Sequence, residues 1–306
     1  MNKNELNEYI KKAEDGDLNS QFLLGLTYLN GSDEIPANDK EAFKWFKAAA
    51  EQGNPIAQVN LGLCYDIGIG VKVDYNEAFR WFKSAAEQGI AEAQYNLGIC
   101  YYKGKGTKKD YKKAFRWYKA AAEQSYAPAQ YNLGICYDIG IGVKRDNKKA
   151  FSLYKASAEQ GYAAAQVNLG ICYSNGQGVR QDYNEAFRWF KAVAEQGVPE
   201  AQYNLGICYY NGQGVRQNYN EALRCFKAAA EQGMVEAQVN LGLCYENIDG
   251  VEQDFNEAYY WYLIAYRNGY TDAEQDVKRI EDKLTHQQKQ EVQNRVNEWF
   301  RTHTEE

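Results

Sequence analysis

The 306-residue sequence is poor in several residue types, and each shortage argues against a class of protein. Two histidines, both near the C-terminus, leave little from which to build a histidine-based catalytic or metal centre. Four prolines and no long polar tract argue against a disordered tail or interdomain linker. No apolar run approaches the ~20 residues of a membrane-spanning helix, so we expect no membrane span.

The charge balance argues against a nucleic-acid partner. The formal net charge is −6, whereas proteins that coat phosphates normally present a basic face. One local basic cluster stands out from this acidic background, and its position favours a solvated loop and helix start. The cluster consists of Lys103, Lys105, Lys108, Lys109, Lys112 and Lys113.

The N-terminus and the cysteines indicate a compartment. The opening "MNKNELNEYIKKAEDGD" lacks the apolar segment of a signal peptide. Seven cysteines without a secretory signal are typical of a reducing environment. We therefore expect a cytoplasmic protein, with specialised secretion left open, and no cofactor.

What the sequence has in abundance is one repeated unit. A glutamine recurs every 36 residues, at Gln58, Gln94, Gln130, Gln166, Gln202 and Gln238. An earlier copy begins at Gln21, and a degraded copy begins at Ala273. A fixed period in this range indicates stacked supersecondary units. The predicted fold is all-α, a right-handed α/α superhelical solenoid of 36-residue helix-turn-helix repeats.

Each unit contains two predicted helices joined by glycine turns. The first, from about Ala93 to Lys103, is apolar on two sides and must be covered on both. Gly98 lies inside this helix, where glycine costs ~1 kcal/mol relative to alanine. Because the same glycine recurs in the other repeats, we expect another helix backbone to approach closely there. The second helix is clearest in the preceding repeat, where it follows Asp74, a good N-cap, and ends at Gly89. Ser125 alone replaces that final glycine, and we expect local strain there.

The two ends of the array depart from the repeat and predict caps. Residues 1–18 match only the end of a second helix and read as an N-terminal half-repeat cap. Residues 19–271 hold seven repeats, and residues 272–306 hold a degraded repeat and a capping helix. The inner seam of that helix is predicted to be Val292, Val296 and Phe300. Polar terminal units of this kind keep a solenoid soluble.

The stretch "EAQYNLGICYYNGQGVRQNYNEALRCFKAAAEQG", residues 200–233, resembles the Sel1-like repeat, a relative of the tetratricopeptide repeat. The matching motifs are the Ala-x-x-x-Leu-Gly-x-x-Tyr run, the Gly-x-Gly-Val turn and the Ala-Ala-Glu-Gln-Gly finish. The resemblance extends from residue 20 to about residue 272. It implies a non-enzymatic adaptor that binds a peptide or partner protein in the concave groove of the superhelix.

Two other functions stay open under this resemblance. The same array could serve as a bacterial secreted or host-directed effector or virulence regulator. A more remote alternative is β-lactam hydrolase-like activity, which is claimed for some relatives that have two bridged cysteines in each repeat. Here only the unit with Cys208 and Cys225 has two cysteines, which weakens that analogy.

Two recurring motifs resemble catalytic features but are interpreted as structural. One cysteine recurs at the same position in six of the seven repeats, and equivalent helices lie ~8–10 Å apart, beyond the ~7 Å Cα separation that a disulfide allows. We expect these thiols to be buried and unpaired. The Gly-x-Gly pairs follow a helix, whereas a dinucleotide phosphate loop follows a strand. We therefore expect no catalytic residue and no metal site.

The candidate binding residues are asparagines in the first helices. Asparagine is unfavourable in a helix by up to ~0.7 kcal/mol relative to alanine, so its recurrence needs a reason. Its amide can donate to and accept from an extended peptide. Alternatively, each side chain bonds the preceding turn or a neighbouring repeat. The column consists of Asn60, Asn96, Asn132, Asn168, Asn204 and Asn240. One turn further on, specificity is expected from Ile67, Lys103, Ile139, Asn175, Asn211 and Asn247.

Overall fold

The computed structural model describes residues 3–32, 34–247 and 252–303. Across these ranges the regular structure is entirely helical, with seventeen α-helices and no strand. The chain divides into two compact units, Met1–Tyr162 and Ala163–Glu306, called here the N-terminal and C-terminal units. Each unit is a stack of helix pairs, so the predicted all-α solenoid class is confirmed.

The N-terminal unit contains four helix pairs preceded by a single helix, α1 (Lys3–Glu14). Within this unit, successive helices pack against each other along the whole series from α1 to α9. The first helices of the pairs are α2 (Leu18–Asn30), α4 (Pro55–Ile67), α6 (Ala91–Lys103) and α8 (Ala127–Ile139). The second helices are α3 (Asp39–Glu51), α5 (Tyr75–Glu87), α7 (Tyr111–Glu123) and α9 (Asn147–Ala158).

The C-terminal unit contains three helix pairs followed by two helices, α16 (Ala273–Glu281) and α17 (His286–His303), which both pack against the last helix of the third pair. The first helices are α10 (Ala163–Asn175), α12 (Pro199–Asn211) and α14 (Val235–Asn247). The second helices are α11 (Tyr183–Ala194), α13 (Tyr219–Glu231) and α15 (Phe255–Arg267).

The predicted capping residues set the helix ends. Asp74 precedes α5, and its carboxylate accepts a hydrogen bond from the backbone N–H of Glu77 at 3.2 Å. After α6, Gly104 adopts a left-handed conformation with φ 78° and donates its N–H to the Cys100 carbonyl at 2.8 Å. Ser125 also has a positive φ, 61°, where the other repeats use glycine, as the sequence led us to expect.

The mid-helix glycines make room for aromatic rings. A Cβ built on Gly98 would lie 2.6 Å from two ring carbons of Tyr118, which is too close for any real contact. Gly206 meets Phe226 in the same way, with a nearest separation of 2.6 Å. The sequence analysis expected a neighbouring helix backbone there. The nearest atoms belong instead to a ring from the second helix of the same repeat.

The C-terminal helices cover the end of the C-terminal unit's core. Val292 and Val296 of α17 are buried there, and Phe300 packs partly buried against the same cluster. The buried carboxylate of Glu246 accepts hydrogen bonds from Arg279 at 2.6 and 2.9 Å, which ties α14 to α16. The predicted domain bounds 1–18, 19–271 and 272–306 stay predictions, and their outermost residues, 1, 2 and 304–306, lie outside the described ranges.

Candidate partner-binding surface

The asparagine column lies on the first helices, and every member is half-buried. Two members bond the preceding turn of their own helix. Asn60 Nδ2 donates to the Ile56 carbonyl at 2.9 Å, and Asn204 Nδ2 donates to the Glu200 carbonyl at 2.7 Å. These bonds use amide hydrogens, so each side chain retains its oxygen as an acceptor.

Two other members bond a tyrosine of the preceding repeat. Asn240 Nδ2 donates to the Tyr203 hydroxyl at 3.3 Å. Asn132 bonds Tyr95 in the same way: burial raises the pKa of the Tyr95 hydroxyl, and this hydrogen bond opposes the rise. Valine replaces that tyrosine in the repeat before Asn204, which explains why its amide turns to its own helix. The internal bonding that the sequence left as an alternative is therefore present.

A recess of about 320 Å³ lies between the third and fourth helix pairs of the N-terminal unit. It brings Lys103 and Asn132 together, and both were predicted from sequence. Lys103 is exposed at the end of α6, whereas the walls are mainly aromatic and aliphatic. The lining consists of Tyr95, Ile99, Tyr102, Lys103, Tyr118, Asn132, Ile135 and Cys136.

A second recess, of about 110 Å³, lies in the C-terminal unit and brings Asn211 and Asn240 together. Each lining residue is displaced by 108 residues, three repeat lengths, from a residue of the first recess. The lining consists of Ile207, Tyr210, Asn211, Phe226, Asn240 and Leu243. The array therefore forms the same recess at two places, with lysine at one rim and asparagine at the other.

Two isoleucines of the N-terminal unit are unusually exposed. Ile67 and Ile139 end their first helices, and 64% and 63% of their surfaces are accessible. Both occupy the repeat position of Lys103, which lies between them in sequence. An exposed apolar residue is ordinary by itself, but two at the repeat position that Lys103 occupies in the recess mark a surface suited to contact.

The remaining predicted residues do not line either recess. Asn96 and Asn168 are half-buried on α6 and α10, and Asn175 is exposed at the end of α10. Sequence reasoning missed the tyrosines of the recess walls, Tyr102 and Tyr210. Their signal was available, because only these two repeats read "CYY", whereas four others read Cys-Tyr followed by a different residue and the first repeat reads Thr-Tyr-Leu.

The seven cysteines form no disulfide bond, and the six that recur at one repeat position are buried. Burial raises the pKa of Cys64 and Cys136 to about 11 and that of Cys100 and Cys225 to about 12. A thiol with such a pKa is protonated at neutral pH and is a poor nucleophile or metal ligand. Within the described residues, no group of three or more His, Cys, Asp or Glu could hold a metal ion.

No helix in the described part of the chain combines the length and apolar character needed to cross a bilayer. The helix pairs, glycine turns and capped second helices define an α-helical repeat protein. The Sel1 repeat family model matches seven consecutive segments: residues 18–54, 55–90, 91–126, 127–162, 163–198, 199–234 and 235–270. The chain belongs to the Sel1 repeat family. Proteins of this family are generally non-catalytic scaffolds for protein interaction.

Two solved structures resemble the chain over most of its length. A protective antigen present in uropathogenic Escherichia coli strains is 32% identical, with a TM-score of 0.73, over 98% of this chain and 71% of that chain. A Sel1 repeat protein from Oxalobacter formigenes is 34% identical, with a TM-score of 0.72, over 80% of this chain and 96% of that chain.

A curated relative matches over a shorter stretch. An F-box protein from Arabidopsis thaliana is 43% identical over 63 residues, which are 21% of this chain. The match spans only 17% of the length of that protein.

Proposed function

We propose that this protein is a non-enzymatic scaffold that binds an extended peptide, or an extended segment of a partner protein, along its first helices. The observation that carries the proposal is the repetition of one recess in both units, at the same six repeat positions. The recess recurs because residues 91–106 and 199–214 are nearly identical in sequence, so the array offers the same binding feature at two places along its length. Repeat arrays use such recurring surfaces to bind extended partners.

The chemistry of the recesses favours a peptide side chain over a cofactor. Their volumes lie at or below the lower end of the ~300–1,000 Å³ range of small-molecule sites. Tyrosine and isoleucine walls suit an apolar or aromatic side chain, and asparagine oxygens can accept backbone N–H groups. Lys103 at one rim and Asn211 at the other would give the two recesses different preferences for charge.

The test is affinity capture from extracts of the producing organism, using the full chain. The double variant Ile67→Asp/Ile139→Asp is expected to lose about tenfold or more of the captured partner, since a charge would be desolvated in the contact. Both isoleucines are largely exposed, so the thermal midpoint should stay unchanged. Tyr266→Asp, at an exposed tyrosine of α15, is the matched control and should capture normally. Equal capture by both variants would reject the proposed surface.

The similarity to a protective antigen supports a second candidate function. In it, the same array acts outside the producing cell as a secreted or host-directed effector. An epitope-tagged chain followed in culture supernatant and in infected host cells distinguishes this candidate from a cytoplasmic adaptor. If the tagged protein stays in the cytoplasm and a cytoplasmic marker shows that the cells have not lysed, the effector candidate is rejected.

The non-enzymatic part of the proposal has its own test. The six recurring cysteines are buried and protonated, so they supply no activated nucleophile. Cys225 also forms no disulfide, and burial raises its thiol pKa to about 12. We expect no turnover of the chromogenic β-lactam nitrocefin by the purified chain. Turnover that disappears in a Cys225→Ser variant would establish the hydrolase alternative instead.

A further inference from the structure

Two neighbouring repeats of the N-terminal unit carry a dense group of cations at the turns that lead into α7 and α9. All eight side chains are exposed. We name this group the basic edge, and it consists of Lys108, Lys109, Lys112, Lys113, Lys144, Arg145, Lys148 and Lys149. Within residues 107–113 and 143–149 the only carboxylates are Asp110 and Asp146, the N-caps of the two helices.

The two basic segments form one surface, although 35 residues separate their corresponding ends. The contact runs through Gly142, which lies against the start of α7. A Cβ at Gly142 would overlap the Tyr111 carbonyl and lie 3.2 Å from the backbone nitrogen of Lys112. The turn that continues into Lys144 and Arg145 is therefore seated beside the helix start that carries Lys112 and Lys113.

These cations occupy positions where they oppose the helix dipole. The third residue of a second helix lies at the positive end of the dipole, where a carboxylate is favoured. Five of the seven repeats place glutamate there: Glu41, Glu77, Glu185, Glu221 and Glu257. The basic edge has Lys113 and Lys149 instead. Each of these lysines contacts one tyrosine ring, Lys113 above Tyr101 and Lys149 above Tyr137, with Nζ 5.1 Å from the ring centroid, and both side chains stay exposed to a partner.

The protein itself neutralises little of this charge. Lys113 lies 3.8 Å from Asp110 and Lys149 lies 3.6 Å from Asp146, both long for ion pairs. The other lysines of the edge have no carboxylate within 4.0 Å among the described residues: Lys108, Lys109, Lys112, Lys144 and Lys148. By contrast, Lys105 nearby is paired with Asp66 at 2.7 Å, so it does not belong to the edge.

We propose that the basic edge binds an acidic segment of a partner protein, a short run of aspartate and glutamate. Complementary charge attracts such a segment and fixes its position. Nucleic acid fits less well, because the equivalent helix start of the preceding repeat carries Asp74 and Glu77. A long polyanion that extended in that direction would meet those carboxylates. The edge shares no residue with the recesses, so either surface can fail without the other.

The test uses the residues that other repeats of this chain carry at the same positions. The quadruple variant Lys112→Asn, Lys113→Glu, Lys148→Asn and Lys149→Glu restores the Asn-Glu pair that four other second helices carry. Because glutamate suits these helix starts, the thermal midpoint should stay equal or rise. A control variant in the C-terminal unit makes the same change in net charge at exposed cations: Arg180→Asn, Lys191→Glu, Arg216→Asn and Lys227→Glu.

Binding is measured by fluorescence anisotropy with a labelled peptide of about ten glutamates, in about 150 mM salt so that distant charges are screened. Loss of several exposed ion pairs should weaken binding about tenfold or more in the quadruple variant and under about threefold in the control variant. A peptide of about ten glutamines should not bind, since it offers the edge no negative charge.

Three results would overturn the inference. The first is equal glutamate-peptide affinity in the wild type and the quadruple variant. The second is an equal loss in the control variant, because net charge and not this surface would then explain binding. The third is that a thymidine oligonucleotide of matched charge binds more tightly than the glutamate peptide, which would assign the edge to nucleic acid.

Discussion

Replacing Gly98 with alanine sets two opposing effects against each other in one helix. Helix propensity alone would raise the free energy of unfolding by about 1 kcal/mol. Against it, the new Cβ would lie 2.6 Å from ring carbons of Tyr118, and only 3% of that side chain is exposed, so it cannot move into solvent. Overpacking of a buried site typically costs about 1–3 kcal/mol. Because two ring atoms overlap, we expect the upper part of that range and a net loss of about 1–2 kcal/mol.

The assay is urea unfolding followed by circular dichroism, with Tyr118→Leu as the second arm of a double-mutant cycle. Removing the ring should recover most of the loss caused by Gly98→Ala. Gly89→Ala is the matched control: it has φ 90° and no atom within 4 Å of the added Cβ, so it costs about 1 kcal/mol through the backbone alone. Tyr118→Leu should leave that cost unchanged.

Two outcomes would refute this reasoning. In the first, Gly98→Ala raises the unfolding midpoint, so helix propensity and not ring packing governs the position. In the second, the effects of Gly98→Ala and Tyr118→Leu simply add, so the two residues do not share space.

Three further predictions follow from single features. Ser125→Gly should raise the free energy of unfolding by up to about 1 kcal/mol in denaturant titrations, since it relieves a positive φ; a lower midpoint would contradict this. Thiol titration with Ellman's reagent at pH 8 should label few or none of the seven cysteines before denaturant is added, because burial raises thiol pKa values; rapid labelling of the native chain would oppose that. Glu246→Gln should cost about 1–2 kcal/mol at neutral pH. Burial would raise the pKa of Glu246, but hydrogen bonds from Arg279 and Tyr262 hold it below its ordinary value. Wild-type Glu246 therefore stabilises the fold above the ordinary carboxyl pKa and loses this effect as pH falls through its lowered value, so the stability difference from the variant should shrink in acid. A difference in unfolding free energy between the two proteins that does not change with pH would contradict this prediction.

The helix pairs could be predicted from sequence because their determinants are local. Asp74 caps α5 by accepting a hydrogen bond from a backbone N–H three residues further on, and Gly104 ends α6 by its own left-handed conformation. The ring beside Gly98 was harder to predict, because its cause is a side chain 20 residues further along the chain. A helical glycine signals lack of space without identifying what occupies it.

The recesses could be predicted only in part. The asparagine column marked the right helices, but the recess depends on which side chains two successive repeats place opposite each other. Tyr95 and Asn132 are 37 residues apart, and their hydrogen bond follows from the stacking of the repeats and not from either repeat alone. Asn204, which follows a repeat with valine at that position, instead bonds its own helix, and composition cannot show that difference.

The basic edge shows the same limit. In the linear sequence, the first lysine cluster reads as one solvated loop, and the cations at 144–149 belong to another repeat. The contact at Gly142 joins the two segments, and the Asp66 ion pair removes Lys105 from the group.

Site-specific photo-crosslinking tests the scaffold proposal most directly. A photoreactive amino acid replaces Ile139 in the full chain, expressed in the producing organism, and in a second variant it replaces Arg116, an exposed residue of α7. We predict a covalent adduct with a partner protein from position 139 and none from position 116. An adduct from position 116 alone, or no adduct from position 139 while the tagged wild-type chain still captures its partner, would contradict binding along the first helices.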